Sequence, residues 1–329
     1  MARSKIAITM GDPAGVGPEI IVGALAAEAH RAVVVGDLGR LAQALDVAGV
    51  GGRLRLRSVG SASEAVFEPG VANVIDLHNV PRDLNWGELS SVAGEACYAY
   101  VERAARMALA GEVDAVCTAP INKEAWRDAG IRQPGHTEAL ASICGAERFA
   151  MMLVNQRLRV VHLSTHASLL EAVGLATESR CLEVIELVEA FLRERASVPE
   201  PRIAVAGINP HAGENGMLGS EDRQQLVPAV EAARARGLRV SGPLSPDTVF
   251  VRGAAGEFDA VVAAYHDQGH IPIKMLGLDT GVNVTIGLPI VRTSVDHGTA
   301  FDIAGTGQAR PANMLAAIRL AVQLVESSR

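Results

Sequence analysis

Short apolar runs recur along the chain, each closed by Gly, Pro or a polar cluster. KIAITM at 5–10, AVVVGD at 32–37, DAVCTAP at 114–120 and FAMMLV at 149–154 come first. RVVHLST at 159–165, RIAVAGINP at 202–210 and DAVVAAYHD at 259–267 follow. Such unbroken apolar runs read as strands buried on both faces. Between them lie segments with helical spacing: 17–29, 38–50, 92–109, 178–194, 221–236 and 313–326. NVTIGLPIVRTS at 283–294 reads as a strand pair or one bent strand. Strands alternating with helices predict an α/β fold with mostly parallel sheet, covered by helices on both faces.

The chain has 329 residues, enough for two lobes. No repeat, low-complexity tract or polar linker separates them, so the lobes are expected to share structured crossings with the site in a cleft between them. The expected division is 1–130 plus 276–329 for an outer lobe and 131–275 for a second lobe. Aromatic residues are 3% of the chain and the net charge is −7, which argues against nucleic-acid binding. No apolar stretch reaches membrane-spanning length and no signal-like segment opens the chain, so a cytoplasmic protein is expected. Cys97, Cys117, Cys144 and Cys181 are scattered without a CxxC pair and read as reduced, buried thiols.

Polar residues fall just past the apolar runs. His166 follows RVVHLST, His211 follows RIAVAGINP, and His266 ends the run at 259–266. Ligands of α/β sheets bind beyond the carboxyl ends of strands, so three such histidines could meet, although their spacing matches no compact zinc motif. AYHDQGHIPIK at 264–274 packs His266, Asp267, His270 and Lys274 around Gly269 and Pro272, which reads as a turn breaking regular structure. GDPAGVGPE at 11–19 lacks the ending of a phosphate-binding P-loop, and its glycines are out of step with GxGxxG. It reads as a tight strand-to-helix turn shaped by Asp12 and Pro13. GHTEALA at 135–141 places His136 and Thr137 at a helix start, where free N–H groups favour an anion. The plainer reading has Thr137 capping that helix and the cations Lys274 and Arg292 in solvent.

Taken together, MGDPAGVGPE, GHTE, HLSTH, NPHAGE, YHDQGHIPIK and GLPIVRTSVDHGTAFDIAG resemble the 4-hydroxythreonine-4-phosphate dehydrogenase family of pyridoxal phosphate biosynthesis. The blocks run from Met10 to Gly305. The resemblance implies an isocitrate/isopropylmalate dehydrogenase-like pair of α/β lobes and a homodimer whose active sites draw on both subunits. It implies a divalent metal (zinc, magnesium or cobalt) held by His166, His211 and His266. Substrate contacts map onto His136, Thr137, Lys274, Asn283 and Arg292, with Asp247 and Asp267 as carboxylates close to the chemistry. On a strand Asp267 would point away from its neighbour His266, so a different partner is expected for it.

DHGTAFDIAG is similar to the adenosine-holding loop of isopropylmalate dehydrogenases, which assigns His297, Gly298, Thr299, Ala300, Asp302 and Ile303 to NAD. A carboxylate at Asp302 suits a ribose 2′-hydroxyl and repels a 2′-phosphate. After it, TGQARPANM departs from the polar, acidic continuation of the family. The implied reaction is NAD-dependent oxidation and decarboxylation of 4-phosphooxy-L-threonine to 3-amino-2-oxopropyl phosphate. Two alternatives stand beside it: a paralogue oxidising a phosphorylated four-carbon sugar acid, and a hydrolase in which a three-histidine metal activates water. His270 has no assigned role and reads as a loop histidine.

Overall fold

The computed structural model describes residues 4–277 and 280–328. In chain order it begins with β1 (Ile6–Thr9), α1 (Gly17–Ala27), β2 (Ala32–Gly36), α2 (Leu38–Val47), β3 (Arg55–Ser58) and β4 (Val71–Asp76). Then come α3 (Ser91–Leu109), β5 (Ala115–Thr118), α4 (Lys123–Asp128) and α5 (His136–Cys144). The middle of the chain forms β6 (Ala150–Val154), β7 (Arg159–His162), α6 (Leu169–Leu175), α7 (Glu178–Arg195) and β8 (Arg202–Ala206). It continues with α8 (Val227–Ala235), β9 (Arg239–Leu244), α9 (Pro246–Ala254), β10 (Ala260–Ala263), α10 (His266–Met275) and β11 (Val282–Ile286). β12 (Val291–Val295) and α11 (Ala312–Ser327) close it.

Two compact units result. One takes in the chain up to Glu147 together with Leu288–Ser327; the other is Arg148–Gly287. The divisions thus fall after 147 and 287 rather than after 130 and 275. α5 packs on α3, which keeps it in the first unit, and β11 pairs antiparallel with β6, which draws it into the second.

In the first unit the strand order is β3-β4-β2-β1-β5-β12, and every pairing is parallel. The chain leaves β1 toward β2 on one side and later returns to β5 on the other. That reversal opens a crevice at the carboxyl ends of β1 and β5, where ligands of open α/β sheets sit. In the second unit the order is β11-β6-β7-β10-β8-β9; β6 is antiparallel to both neighbours and the rest are parallel. β7, β10 and β8 are therefore adjacent and point the same way, as the strand-end placement of the histidines requires.

The core is aliphatic, as the composition demands, with Trp126 and Tyr100 its largest aromatic members. Gly94 on α3 permits the close crossing of α4, since a Cβ there would lie 2.2 Å from the Ala125 carbonyl oxygen. The stretch 264–274 departs from its expected turn: from His266 onward it is helical. Gly269 and Pro272 are accommodated in the helix rather than ending it. The Gln268 side chain ties the segment down by accepting from the Ala264 N–H at 2.7 Å and donating to the Gly207 carbonyl at 2.7 Å. Among the described residues no helix is long and apolar enough to cross a membrane.

Candidate active site

Arg292, near the start of β12 and 2% exposed, is a buried cation of the first unit that donates from Nη2 to the hydroxyl of Thr118, the last residue of β5, at 2.8 Å. Burial lowers its pKa to about 10, so it remains charged at neutral pH; Cys117 and Glu138 act in the opposite direction. His136 opens α5 behind Gly135, which offers no side-chain cap. Thr137 lies inside the first turn, so the plain capping reading fails, and Arg292 is not in solvent. Burial, then the charges of Arg292 and Lys123, hold the His136 imidazole well below its ordinary pKa and therefore neutral. Its Nε2 is buried without a hydrogen-bond partner, and its ring meets Trp126 edge-on at 5.8 Å. A buried guanidinium, a neutral imidazole and an uncapped helix start are the elements of an anion site.

The loop at 297–307 is anchored from beneath. Thr299 accepts from the Val16 N–H at 2.9 Å. Glu19, buried in the first turn of α1, accepts from the N–H groups of Gly305 and Gly307 at 2.7 and 2.9 Å. Trp86 lies against Gly305 on one side and under the Arg40 guanidinium, 3.3 Å from the ring centroid, on the other. These anchors leave Gly298 beside open space and Asp302 exposed. A preformed loop with an outward carboxylate fits the adenosine half of NAD. Glu19, Trp86 and Arg40 carry this framework and had not been singled out in the sequence; Glu19, three residues into a helix after Gly-Pro, was the available signal.

In the second unit the three histidines stand just past β7, β8 and β10. His166 is exposed, with Nδ1 3.4 Å from the Thr165 hydroxyl. His211 lies in a left-handed turn over Pro210–Gly216, in which His211, Ala212, Glu214 and Asn215 all have positive φ. Left-handed backbone costs roughly 1–2 kcal/mol per non-Gly residue, so this turn needs support. Buried Asp222 supplies it by accepting from the N–H groups of Ile208 and Asn209 at 2.7 and 3.1 Å.

The Ser245 hydroxyl donates to Asp247 at 2.5 Å, leaving its oxygen to accept from His211 Nδ1 at 3.3 Å. That hydrogen bond is the main cause lowering the pKa of Asp247. His266 donates from Nδ1 to Asp267 at 2.6 Å. This corrects the expectation of a different partner for Asp267: both residues lie in the first turn of a helix, not on a strand whose neighbours point apart. Lys274 is exposed in the last turn of α10. Asn283 on β11 directs Nδ2 at the Met151 sulfur at 3.0 Å, and its Oδ1 is buried without a hydrogen-bond partner.

All three metal-assigned histidines thus have Nδ1 beside an oxygen partner, and for His211 and His266 this points to Nε2 as the ligating nitrogen. That donor chemistry suits a divalent metal. Convergence does not follow within one chain. Among the described residues no group of three His, Cys, Asp or Glu side chains gathers to hold a metal ion. The ring of His266 is laid along its own helix, stacked on His270 at 3.6 Å.

A two-unit α/β fold with an anion site and a prepared loop at its strand ends suits an oxidoreductase that takes a phosphorylated substrate, and its relatives are dehydrogenases. Residues 28–321 match the family model described as pyridoxal phosphate biosynthetic protein PdxA, and the chain belongs to that family. It is 50% identical over 326 residues to a D-threonate 4-phosphate dehydrogenase of Cupriavidus necator, covering 97% of this chain and 96% of that protein. It is 47% identical over 325 residues to a 4-hydroxythreonine-4-phosphate dehydrogenase of Desulfosudis oleivorans, covering 97% and 96%. A solved 4-hydroxythreonine-4-phosphate dehydrogenase from Klebsiella pneumoniae superimposes with a TM-score of 0.91 at 47% identity, covering 99% of this chain and 98% of that one.

Proposed function

We propose that this chain is an NAD-dependent dehydrogenase of a four-carbon hydroxy acid phosphorylated on C4, and that oxidation is followed by loss of the carboxylate. The observation that carries this reading is the buried Arg292 beside neutral His136 at the uncapped start of α5, which suits a substrate phosphate. Thr137, Lys274 and Asn283 complete the proposed substrate contacts. His297, Gly298, Thr299, Ala300, Asp302 and Ile303 are the proposed adenosine contacts, with Asp302 selecting NAD over NADP.

NAD supplies the hydride acceptor. A divalent metal, when bound to His166, His211 and His266, supplies Lewis acidity. Since no metal-holding group of three gathers among the described residues, the complete set is proposed for a homodimer with shared active sites, working in the cytoplasm. Asp267 and, through Ser245, Asp247 hold Nδ1 of His266 and His211, which makes Nε2 the nitrogen each neutral ring would offer to a metal. In the reaction the C3–H bond breaks as hydride, the C3 hydroxyl proton is released, C1 leaves as carbon dioxide and a proton returns to C2. D-threonate 4-phosphate then gives dihydroxyacetone phosphate, and 4-phosphooxy-L-threonine gives 3-amino-2-oxopropyl phosphate.

Between the two substrates the curated relatives favour the sugar acid: those at 48–50% identity carry the D-threonate name, those at 46–47% carry one name or the other, and a solved relative at 48% carries the 4-hydroxythreonine name. 4-Phosphooxy-L-threonine is the second reading, supported by the PdxA family match. The test is formation of reduced nicotinamide by the purified protein with each substrate, NAD, and zinc, magnesium or cobalt. We expect kcat/KM at least about tenfold higher for D-threonate 4-phosphate. The reverse ratio would install the amino acid phosphate instead. Release of inorganic phosphate with no reduced nicotinamide from either compound would replace the dehydrogenase reading with a hydrolase.

A further inference from the structure

His270 has no place in the reaction above, yet it is 6% exposed and packed between two other imidazoles. It lies four residues after His266 on α10, which sets both side chains on one helix face. Their rings stack with centroids 3.6 Å apart and planes 13° from parallel. The His270 Nδ1–H donates to the His266 carbonyl oxygen at 3.0 Å, which locks the ring in that place. Behind it stands His162, the last residue of β7, at 4.7 Å and 1% exposed. Gly269 makes room for this second ring, since a Cβ there would lie 2.3 Å from His162 Nε2.

Neither nitrogen of His162 makes a well-formed hydrogen bond, with the backbone of Met151 and His266 near its polar atoms. A buried imidazole left so costs free energy that an aliphatic side chain of similar size would not. Two buried, flat rings therefore form the backing. Meanwhile Asp267 grips the edge of the His266 ring at Nδ1. One group therefore fixes the tautomer of His266, and another fixes the plane of its ring.

We infer that His270, backed by His162, is a positioning residue that fixes the ring plane of His266 and so aims its Nε2 at the ligand it serves. Because the stacked face is covered, the ring cannot swing toward β7. The inference rests on the proposed metal role of His266, and the experiment separates the two. Zinc affinity of the purified full-length protein is measured without substrate or NAD, alongside the ring nitrogen NMR shifts of His266 in metal-free protein.

His270→Ala is expected to weaken zinc about 10–100-fold, the range found when groups orienting a ligand are removed, and to change the His266 ring shifts. His270→Phe keeps a flat ring on His266 without the nitrogen and is expected to recover most of that affinity. Unchanged zinc affinity and unchanged His266 shifts in His270→Ala would overturn the inference. So would a His270→Phe protein that is folded and no better than His270→Ala, because the stacked face would then not be the means. His266→Ala is measured in parallel: full zinc affinity there removes the metal reading itself, whatever His270 does.

Discussion

Glu19 offers the sharpest perturbation of the loop at 297–307, the proposed cofactor loop. It is 2% exposed and accepts from the backbone N–H groups of Gly305 and Gly307 at 2.7 and 2.9 Å. Hydrogen bonds to a charged group contribute about 1.5–3 kcal/mol each, so Glu19→Ala withdraws roughly 3–6 kcal/mol from the attachment of this loop. Glu19→Gln keeps one acceptor and faces the second N–H with a donor, which predicts a loss of about half that size. The assay is amide hydrogen exchange over residues 297–307, with β1 and β5 as internal controls. At 1.36 kcal/mol per decade, Glu19→Ala should lower protection at Gly305 and Gly307 by about two decades or more, with Glu19→Gln between it and the parent. NAD affinity should fall as well, by no more than the same factor, because the loop must first return to its bound shape. Unchanged protection at those two amides in Glu19→Ala would refute the reasoning outright.

Asp12 gives a test in pH. Burial raises its carboxyl to about 6 from 3.8, against the Ala14 N–H and Arg40, both of which favour the charged form. Since the folded value lies above the unfolded one, its contribution is fully present below pH 3.8 and is lost as pH rises through about 6, costing about 3 kcal/mol by neutral pH. Asp12→Asn should abolish that slope in urea denaturation between pH 4.5 and 7; an identical slope in both proteins would remove the assignment. Gly269→Ala should destabilise by about 1–3 kcal/mol, although alanine is the better helix former, because its Cβ would meet His162 Nε2. His162→Ala in the same chain should return part of the loss, the remainder lying in the contact with Val160, and strictly additive effects would count against the His162 contact.

Much of the first unit was legible because its signals are local. Unbroken apolar runs gave its inner strands, and the Gly-Pro turn after β1 gave a helix start. β3 and β4 escaped: β3 is mostly exposed and carries little pattern, and the buried β4 has Asn73 inside its apolar run. AYHDQGHIPIK was misread for a related reason. Gly and Pro weaken a helix locally, and only the pairing of Gln268 with Ala264 and Gly207, with His270 against His162, shows why this one forms.

By itself the sequence determined the α/β class, the family, and the delivery of His166, His211 and His266 past strand ends. Periodicity and motif order are properties of neighbouring residues and survive without coordinates. Only tertiary structure decided what each group does there: Arg292 buried against Thr118, Asp267 turned onto His266, and Glu19 holding a loop 286 residues away in the chain. Burial, charge proximity and ring stacking arise between segments distant in sequence, and the chemistry of these side chains is set by those partners.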